Sequence, residues 1–170
     1  TFLRGDNTFD TPPLGGITEA DQFRLTAQAQ GNQNPLSANL ERVDTDGFGK
    51  IGTGMSQSSG IFTFPSTGVW KIEFDTYFSF NGTTNQIRSF IMTTTNNSSY
   101  SDAAYSNSSI VQAQGTYTAQ HGHACFIFNV TNTTTHKVRF DVDSSVTILT
   151  QADTNSNNTY MTFIRLGDSV

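Results

Sequence analysis

Two histidines at alternate positions, His121 and His123, are the residues whose type and spacing most clearly suggest chemistry. On a β-strand, side chains at positions i and i+2 lie on one face, and Cys125 follows in the same row. Imidazole binds first-row transition metals, and such a pair repeated around a threefold axis would supply six donors to an octahedral site. The pair is therefore a candidate metal site. The alternative is that both histidines are hydrated at a polar strand end beside a loop at 115–120.

The other polar residues do not form the catalytic set of an enzyme. His136 is the third and last histidine, and the sequence has no Gly-x-Ser-x-Gly elbow, phosphate-binding loop or HExxH motif. Carboxylates such as Asp44, Asp46, Asp141 and Asp143 have the residue type of a glycosidase pair, but carboxylates at i and i+2 of a strand usually lie on a solvated face. The sequence therefore predicts a non-enzymatic protein with no cofactor. A polysaccharide-degrading activity is the alternative, and release of reducing ends from host glycan would reveal it.

The composition of the chain excludes several kinds of partner. It has 170 residues, of which 14% are charged, and a formal net charge of −5. A nucleic-acid backbone would be repelled by this charge. No apolar stretch approaches the ~20 residues of a membrane-spanning helix, so we expect no membrane insertion. The single cysteine excludes an intrachain disulfide, so stability must come from the packing of one core.

The segment 69–80 is the most regularly patterned part of the sequence. Apolar and polar residues alternate from Trp70 to Phe80, which predicts a strand with one face in a core. A shorter apolar run at 60–64 precedes a turn that begins at Pro65. Proline cannot donate the hydrogen bond of a central ladder, so a turn is favoured there. We therefore predict that the two runs form an antiparallel hairpin.

The whole chain has the composition of an all-β protein. Phe, Thr, Ser and Asn are frequent, and the residue runs typical of helices are missing. Many short strands at this spacing predict a two-sheet antiparallel sandwich or a barrel. Residues 1–18 lack periodicity and are interpreted as a connector, and residues 19–170 as one head domain. The predicted strands lie at 21–29, 39–44, 47–52, 60–64, 69–80, 87–94, 108–114, 122–130, 136–143, 145–150 and 158–166, with Asn- and Ser-rich loops at 81–86, 95–107 and 151–157.

One segment resembles a known family of trimeric heads. Gly60-Ile-Phe-Thr-Phe-Pro-Ser-Thr-Gly-Val-Trp70 is similar to the G-x-F-x-x-P-x-x-G-x-Y/W core of the globular heads of complement subcomponent q. That family shares a jelly roll with tumour necrosis factor (TNF) and usually forms compact trimers. The resemblance extends in outline over about residues 20–168 and implies a TNF-like jelly-roll sandwich that is trimeric. The closing strand departs from the family's F-S-G-F-L ending at 163–166, which implies different packing at the centre of the trimer.

A second resemblance concerns the particle that carries the domain. Phe2-Leu-Arg-Gly-Asp-Asn-Thr-Phe9 is similar to the FLRGDGTW junctions of phage tail-fibre and other virion proteins. The stretches 16–25 and 41–54 are similar to the jelly-roll ends of structural proteins from marine bacteriophages, notably those of cyanobacteria. These similarities imply a location on the virion surface, with the N-terminal segment joined to other virion proteins. We expect the chain to be the ordered end of a longer protein. The resemblance also bears on His121 and His123, because trimeric phage fibre tips with similar His-x-His pairs hold iron.

Together the resemblances imply a trimeric phage fibre or spike head that attaches to a host-surface glycan or protein. The alternatives are a capsid decoration or structural fibre with no receptor role, and a secreted complement-like recognition head. The run at 124–128 has no polar alternate residue, so we expect both of its faces to be buried, the outer one by another subunit. The interface candidates are Phe126, Ile127, Phe128 and Phe163. The receptor-binding candidates are Asn97, Tyr100, Tyr105 and Asn157, whose amides and rings suit glycan hydroxyls and ring faces.

Overall fold

The computed structural model describes residues 2–3, 9–10 and 16–170, and every regular element in these ranges is a β-strand. The first two strands, β1 (Phe2–Leu3) and β2 (Phe9–Asp10), form a small antiparallel sheet of their own. The described residues include no helix that is long and apolar enough to cross a membrane. The remaining strands are β3 (Ala20–Leu25), β4 (Ala29–Gln30), β5 (Leu40–Arg42), β6 (Ser56–Ser58), β7 (Ile61–Thr63), β8 (Gly68–Phe80), β9 (Thr84–Thr94), β10 (Ser101–Ile110), β11 (Thr118–Val130), β12 (Lys137–Ser144), β13 (Leu149–Thr150) and β14 (Tyr160–Gly167).

These strands form two antiparallel sheets that pack face to face. The five-stranded sheet has the order β10-β9-β12-β7-β6. The seven-stranded sheet has β8 at its centre, with β11 along one edge and β14 followed by β13 along the other. Beyond β14 lie β3 and β5, and beyond β13 lies β4. The predicted all-β, two-sheet antiparallel architecture is therefore confirmed.

The predicted hairpin of 60–64 with 69–80 is wrong, because β7 and β8 lie in different sheets. β7 pairs with β6 and β12, whereas β8 pairs with β11, β13 and β14. The turn that contains Pro65 carries the chain across the sandwich, and the rings of Phe64 and Trp70 meet with centroids 5.2 Å apart. Alternation indicates which face of a strand is buried but not which strand is its neighbour. Both apolar faces are buried in one core.

An aromatic cluster fills the space between the sheets. The predicted alternation in β8 is confirmed, because the inward positions from Trp70 to Phe78 are buried and the positions between them are half-buried. Phe62 of β7 lies at the centre of the cluster and is fully buried. Its ring contacts those of Phe23, Phe140 and Phe163, at centroid distances of 5.2, 5.4 and 5.2 Å.

Several predicted boundaries in the polar parts of the chain are wrong. β10 covers most of the predicted loop at 95–107, and β9 begins inside the predicted loop at 81–86. β10 is the edge strand of its sheet and half of its residues are exposed, so it lacks the apolar alternation that identifies a strand. The predicted strand at 47–52 is reduced to a single bridge between Ile51 and Ala20. β6 was not predicted.

The strands of the two large sheets run from Ala20 to Gly167. The division into a connector at 1–18 and a head domain at 19–170 stays a prediction. Most of the predicted connector at 1–18, including the Arg4-Gly5-Asp6 tripeptide, lies outside the described residues.

Candidate functional site

A cleft of about 330 Å³ lies on the outward face of the five-stranded sheet. Alternate residues of β9 and β12, such as Ile91 and Phe140, are in the core. The residues between them therefore face away from the core. Segment 32–34 also lines the cleft, because Gln33 forms a backbone bridge with Val142. The outward residues are aligned across the two strands: Arg88 with Asp143, Phe90 with Asp141, and Met92 with Arg139.

Asp141 is the buried carboxylate of this cleft, with 8% of its side chain exposed. Its Oδ2 accepts a hydrogen bond of 2.9 Å from Arg139, whereas its Oδ1 has no hydrogen-bond partner in the part of the chain that the structure describes. Burial raises the pKa of the Asp141 carboxyl, and the neighbouring Arg139 opposes that shift. An unpaired buried acceptor costs on the order of 1–3 kcal/mol. A group that donates a hydrogen bond to Oδ1 would therefore stabilise the site.

Aromatic rings and carboxylates hold the two arginines of the cleft in place. The Arg139 guanidinium lies 4.7 Å from the centroid of the Tyr100 ring. The Arg88 guanidinium lies 5.2 Å from the Phe90 ring centroid and forms an ion pair with Asp143. The Nε atoms of both arginines are buried and, among the described residues, have no hydrogen-bond partner. The cleft thus contains donors as well as an acceptor that the fold leaves unused.

Two of the four predicted receptor-binding residues, Tyr100 and Tyr105, do not line the cleft themselves, but each packs against a residue that does. The Tyr100 ring packs beneath the Arg139 guanidinium, and burial raises the pKa of its hydroxyl. Tyr105 pairs with Phe90 across β10 and β9, the two ring centroids are 5.5 Å apart, and 60% of Tyr105 is exposed. Tyr105 therefore presents its ring from a strand and not from the predicted loop.

The other two receptor-binding candidates do not line the cleft. Asn97 lies in the turn before β10, where its backbone N–H donates to the carbonyl of Thr135. The Asn157 side chain donates to Gln22 of the seven-stranded sheet, at 2.6 Å. The four candidates therefore do not form one site.

Sequence reasoning missed the charged residues of the cleft. Asp141 and Asp143 were interpreted as carboxylates on a solvated face, and Arg88 was not singled out. The available signal was the alternation of Arg139 with these two carboxylates along one strand. That alternation becomes informative only when the register with β9 is known.

His121 and His123 lie on the outward face of the seven-stranded sheet, in one row with Cys125, and all three are exposed. The His121 ring stacks on Tyr77 at a centroid distance of 4.6 Å. Nδ1 of His123 lies 2.8 Å from Oδ1 of Asp75. Within the described residues of this single chain, no three His, Cys, Asp or Glu side chains are grouped as metal ligands.

The four interface candidates lie on two different faces. Phe163 is fully buried and Phe128 is 7% exposed, because both point between the sheets. Phe126 is half-buried and packs against the same core. Only Ile127, which is 49% exposed, points outward. The outer face of 124–128 is exposed in the single chain, so its burial by another subunit stays a prediction, and three of the four candidates face the core.

Comparison with solved structures identifies the fold. Eiger TNF from S. frugiperda superposes with a TM-score of 0.69 at 9% sequence identity, covering 91% of this chain and 96% of that one. Murine APRIL at pH 5.0 superposes with a TM-score of 0.59 at 9% identity, covering 87% of this chain and 98% of that one. No family model and no curated protein matches the sequence. The chain therefore has a TNF-like jelly-roll fold.

Proposed function

We propose that the chain is a non-enzymatic, homotrimeric head on the surface of a virus particle, a phage fibre or spike head that attaches to the host surface. The TNF-like jelly roll is the observation that carries this proposal, because a rigid sandwich holds surface groups at fixed positions. The resemblance of 2–9, 16–25 and 41–54 to phage virion proteins supports the location. Residues 1–18 would join the head to other virion proteins.

Electron micrographs of virions labelled with antibody to this chain test the location. Labelling of the tail tip supports the attachment role. Labelling of the capsid supports a decoration protein without a receptor role, and absence of labelling supports a secreted recognition head. Either of the last two results would contradict the proposal.

A row on the seven-stranded sheet that is apolar except for Lys71 supports assembly into a trimer. Backbone pairing places five residues side by side across the sheet. In order they are Ile127 (β11), Lys71 (β8), Ile164 (β14), Ala20 (β3) and Ile51. The isoleucines at the two ends of this row are 49% and 44% exposed. Burial of such side chains against another copy would contribute about 1.5–3 kcal/mol each. We infer that this row lies in the subunit interface.

We predict that the wild-type chain is a trimer by light scattering at micromolar concentration and that Ile127→Arg dissociates it. An unpaired charge buried in an interface costs about 3 kcal/mol or more, which is roughly a hundredfold in the dissociation constant. Val111→Arg is the matched control, because Val111 is also an exposed apolar residue but lies outside the row. A monomeric wild type, or equal effects of the two variants, would exclude this interface.

The geometry of the histidine row favours His123 as a metal ligand in such a trimer. Its Nδ1 is already bonded to Asp75, which leaves Nε2 available, and ligating histidines commonly have a carboxylate on their other nitrogen. We predict about one tightly held metal per trimer in elemental analysis, lost when His121 and His123 are replaced by Ala. Substantially less metal in the wild type would mean that the histidines are hydrated.

A further inference from the structure

We propose that the cleft on the five-stranded sheet binds one ring of a neutral saccharide, which hydrogen-bonds to Asp141 and Arg139 and packs on Tyr105. This proposal rests on the attachment role given above, for which it names the ligand class and the site. The proposed contact with the host glycan lies on an outward sheet face and not in the loops predicted from the sequence.

The unused hydrogen-bonding groups of the cleft indicate hydroxyls. Oδ1 of Asp141 is an acceptor, whereas Nε of Arg88 and Nε of Arg139 are donors, and all three are buried without a partner among the described residues. A hydroxyl both donates and accepts, so adjacent hydroxyls of a sugar can satisfy both kinds of group. An ammonium group would serve only the carboxylate, and a sulfate or phosphate would serve only the arginines.

The charges of the cleft indicate that the ligand is neutral. Two arginines and three carboxylates line it, and each arginine is already paired with a carboxylate. Asp102 is the third carboxylate and leaves one excess negative charge. An anionic ligand would be repelled by Asp102, and it would bring a further negative charge beside the two carboxylates that already pair with the arginines. A neutral ligand bears neither cost.

The size and the apolar side of the cleft suit a single sugar ring. A volume of about 330 Å³ is at the lower end of small-ligand sites. The exposed Tyr105 ring is backed by Phe90, so it offers a fixed apolar surface to the C–H face of a sugar. Asn34 extends the polar side, because its Oδ1 accepts a hydrogen bond from Arg139 at 2.7 Å and its amide nitrogen can donate.

The test is binding of the purified chain to an array of neutral hexose, deoxyhexose and N-acetylhexosamine oligosaccharides, with sulfated and carboxylated counterparts. We expect binding to neutral glycans and weaker or no binding to the anionic forms. Asp141→Asn should weaken binding about tenfold or more, because the strongest acceptor is lost, whereas Asp46→Asn, the same change in an exposed turn, should not.

Tyr105→Ser keeps the test valid if Asp141→Asn fails to fold. Tyr117→Ser is its matched control, because both tyrosines are 60% exposed and only the Tyr105 ring packs on Phe90, which lines the cleft. Absence of binding to every neutral glycan, preference for the anionic forms, or wild-type binding by both cleft variants would overturn the proposal. If the wild-type chain binds glycan and Tyr105→Ser does not, but virions that carry Tyr105→Ser adsorb normally to host cells, only the attachment role is contradicted.

Discussion

Replacement of Phe62 by alanine should lower the free energy of unfolding by about 3–5 kcal/mol, the range for removal of a buried aromatic ring. Phe62 is fully buried, and its ring touches three other phenylalanine rings that come from both sheets. The neighbouring strands limit how far these rings can move, so a cavity would remain. Because domains of this size are stable by only about 5–15 kcal/mol, the variant should unfold at a much lower temperature.

Urea denaturation followed by tryptophan fluorescence measures this loss, since Trp70 is the only tryptophan and is buried in the same core. The protein concentration must be equal for all variants, because the apparent stability of an oligomer depends on it. Tyr117→Ala is the control, since it also removes an aromatic ring but from an exposed position, and should change stability by about 0.5 kcal/mol or less. Similar losses in the two variants would mean that Phe62 is not central to the core.

The sequence was sufficient to predict the strand in which apolar and polar residues alternate most regularly, β8. From Trp70 to Phe78, alternation with a period of two records burial directly, and the structure confirms it. The jelly roll was implied by the resemblance of the Gly60–Trp70 motif to the complement heads and not by this alternation. These signals are local, so they can be interpreted from a short stretch of sequence without knowledge of the rest of the fold.

Pairing between distant strands could not be predicted in this way. β7 and β8 are adjacent in sequence and both apolar, and only the topology shows that they belong to opposite sheets. β10 has exposed Ser and Asn side chains because it is an edge strand, and this composition is also typical of a loop. Its identification depends on pairing with β9, which the pattern of β10 alone does not reveal.

The cleft was missed for a related reason. Arg88 and Asp143 are far apart in sequence, and their ion pair exists only because β9 and β12 pair in one particular register. A shift of that register by one residue would direct these side chains into the core. Tyr105 was singled out for its chemistry but placed in a loop, so its stacking on Phe90 was not foreseen.

Gly60→Ala should destabilise the fold by several kcal/mol, because two independent constraints meet at Gly60. Its φ is +79°, a left-handed conformation that costs a non-glycine residue about 1–2 kcal/mol. An added Cβ would also lie 2.2 Å from the carbonyl oxygen of Leu36, and Leu36 is itself held by a backbone hydrogen bond to Phe140. The backbone cannot yield without breaking this contact, so overpacking adds about 1–3 kcal/mol.

Gly47→Ala separates the two constraints, because Gly47 has a φ of +89° but nothing within 4 Å of the added Cβ. It should therefore show only the conformational cost, and the difference between the two variants in urea denaturation measures the close approach to Leu36. If the variants are equally stable, the glycine that opens the motif is required for its backbone conformation alone. If Gly60→Ala is clearly worse, the glycine is required because the turn between β6 and β7 passes against the segment at 36–37, where no side chain fits.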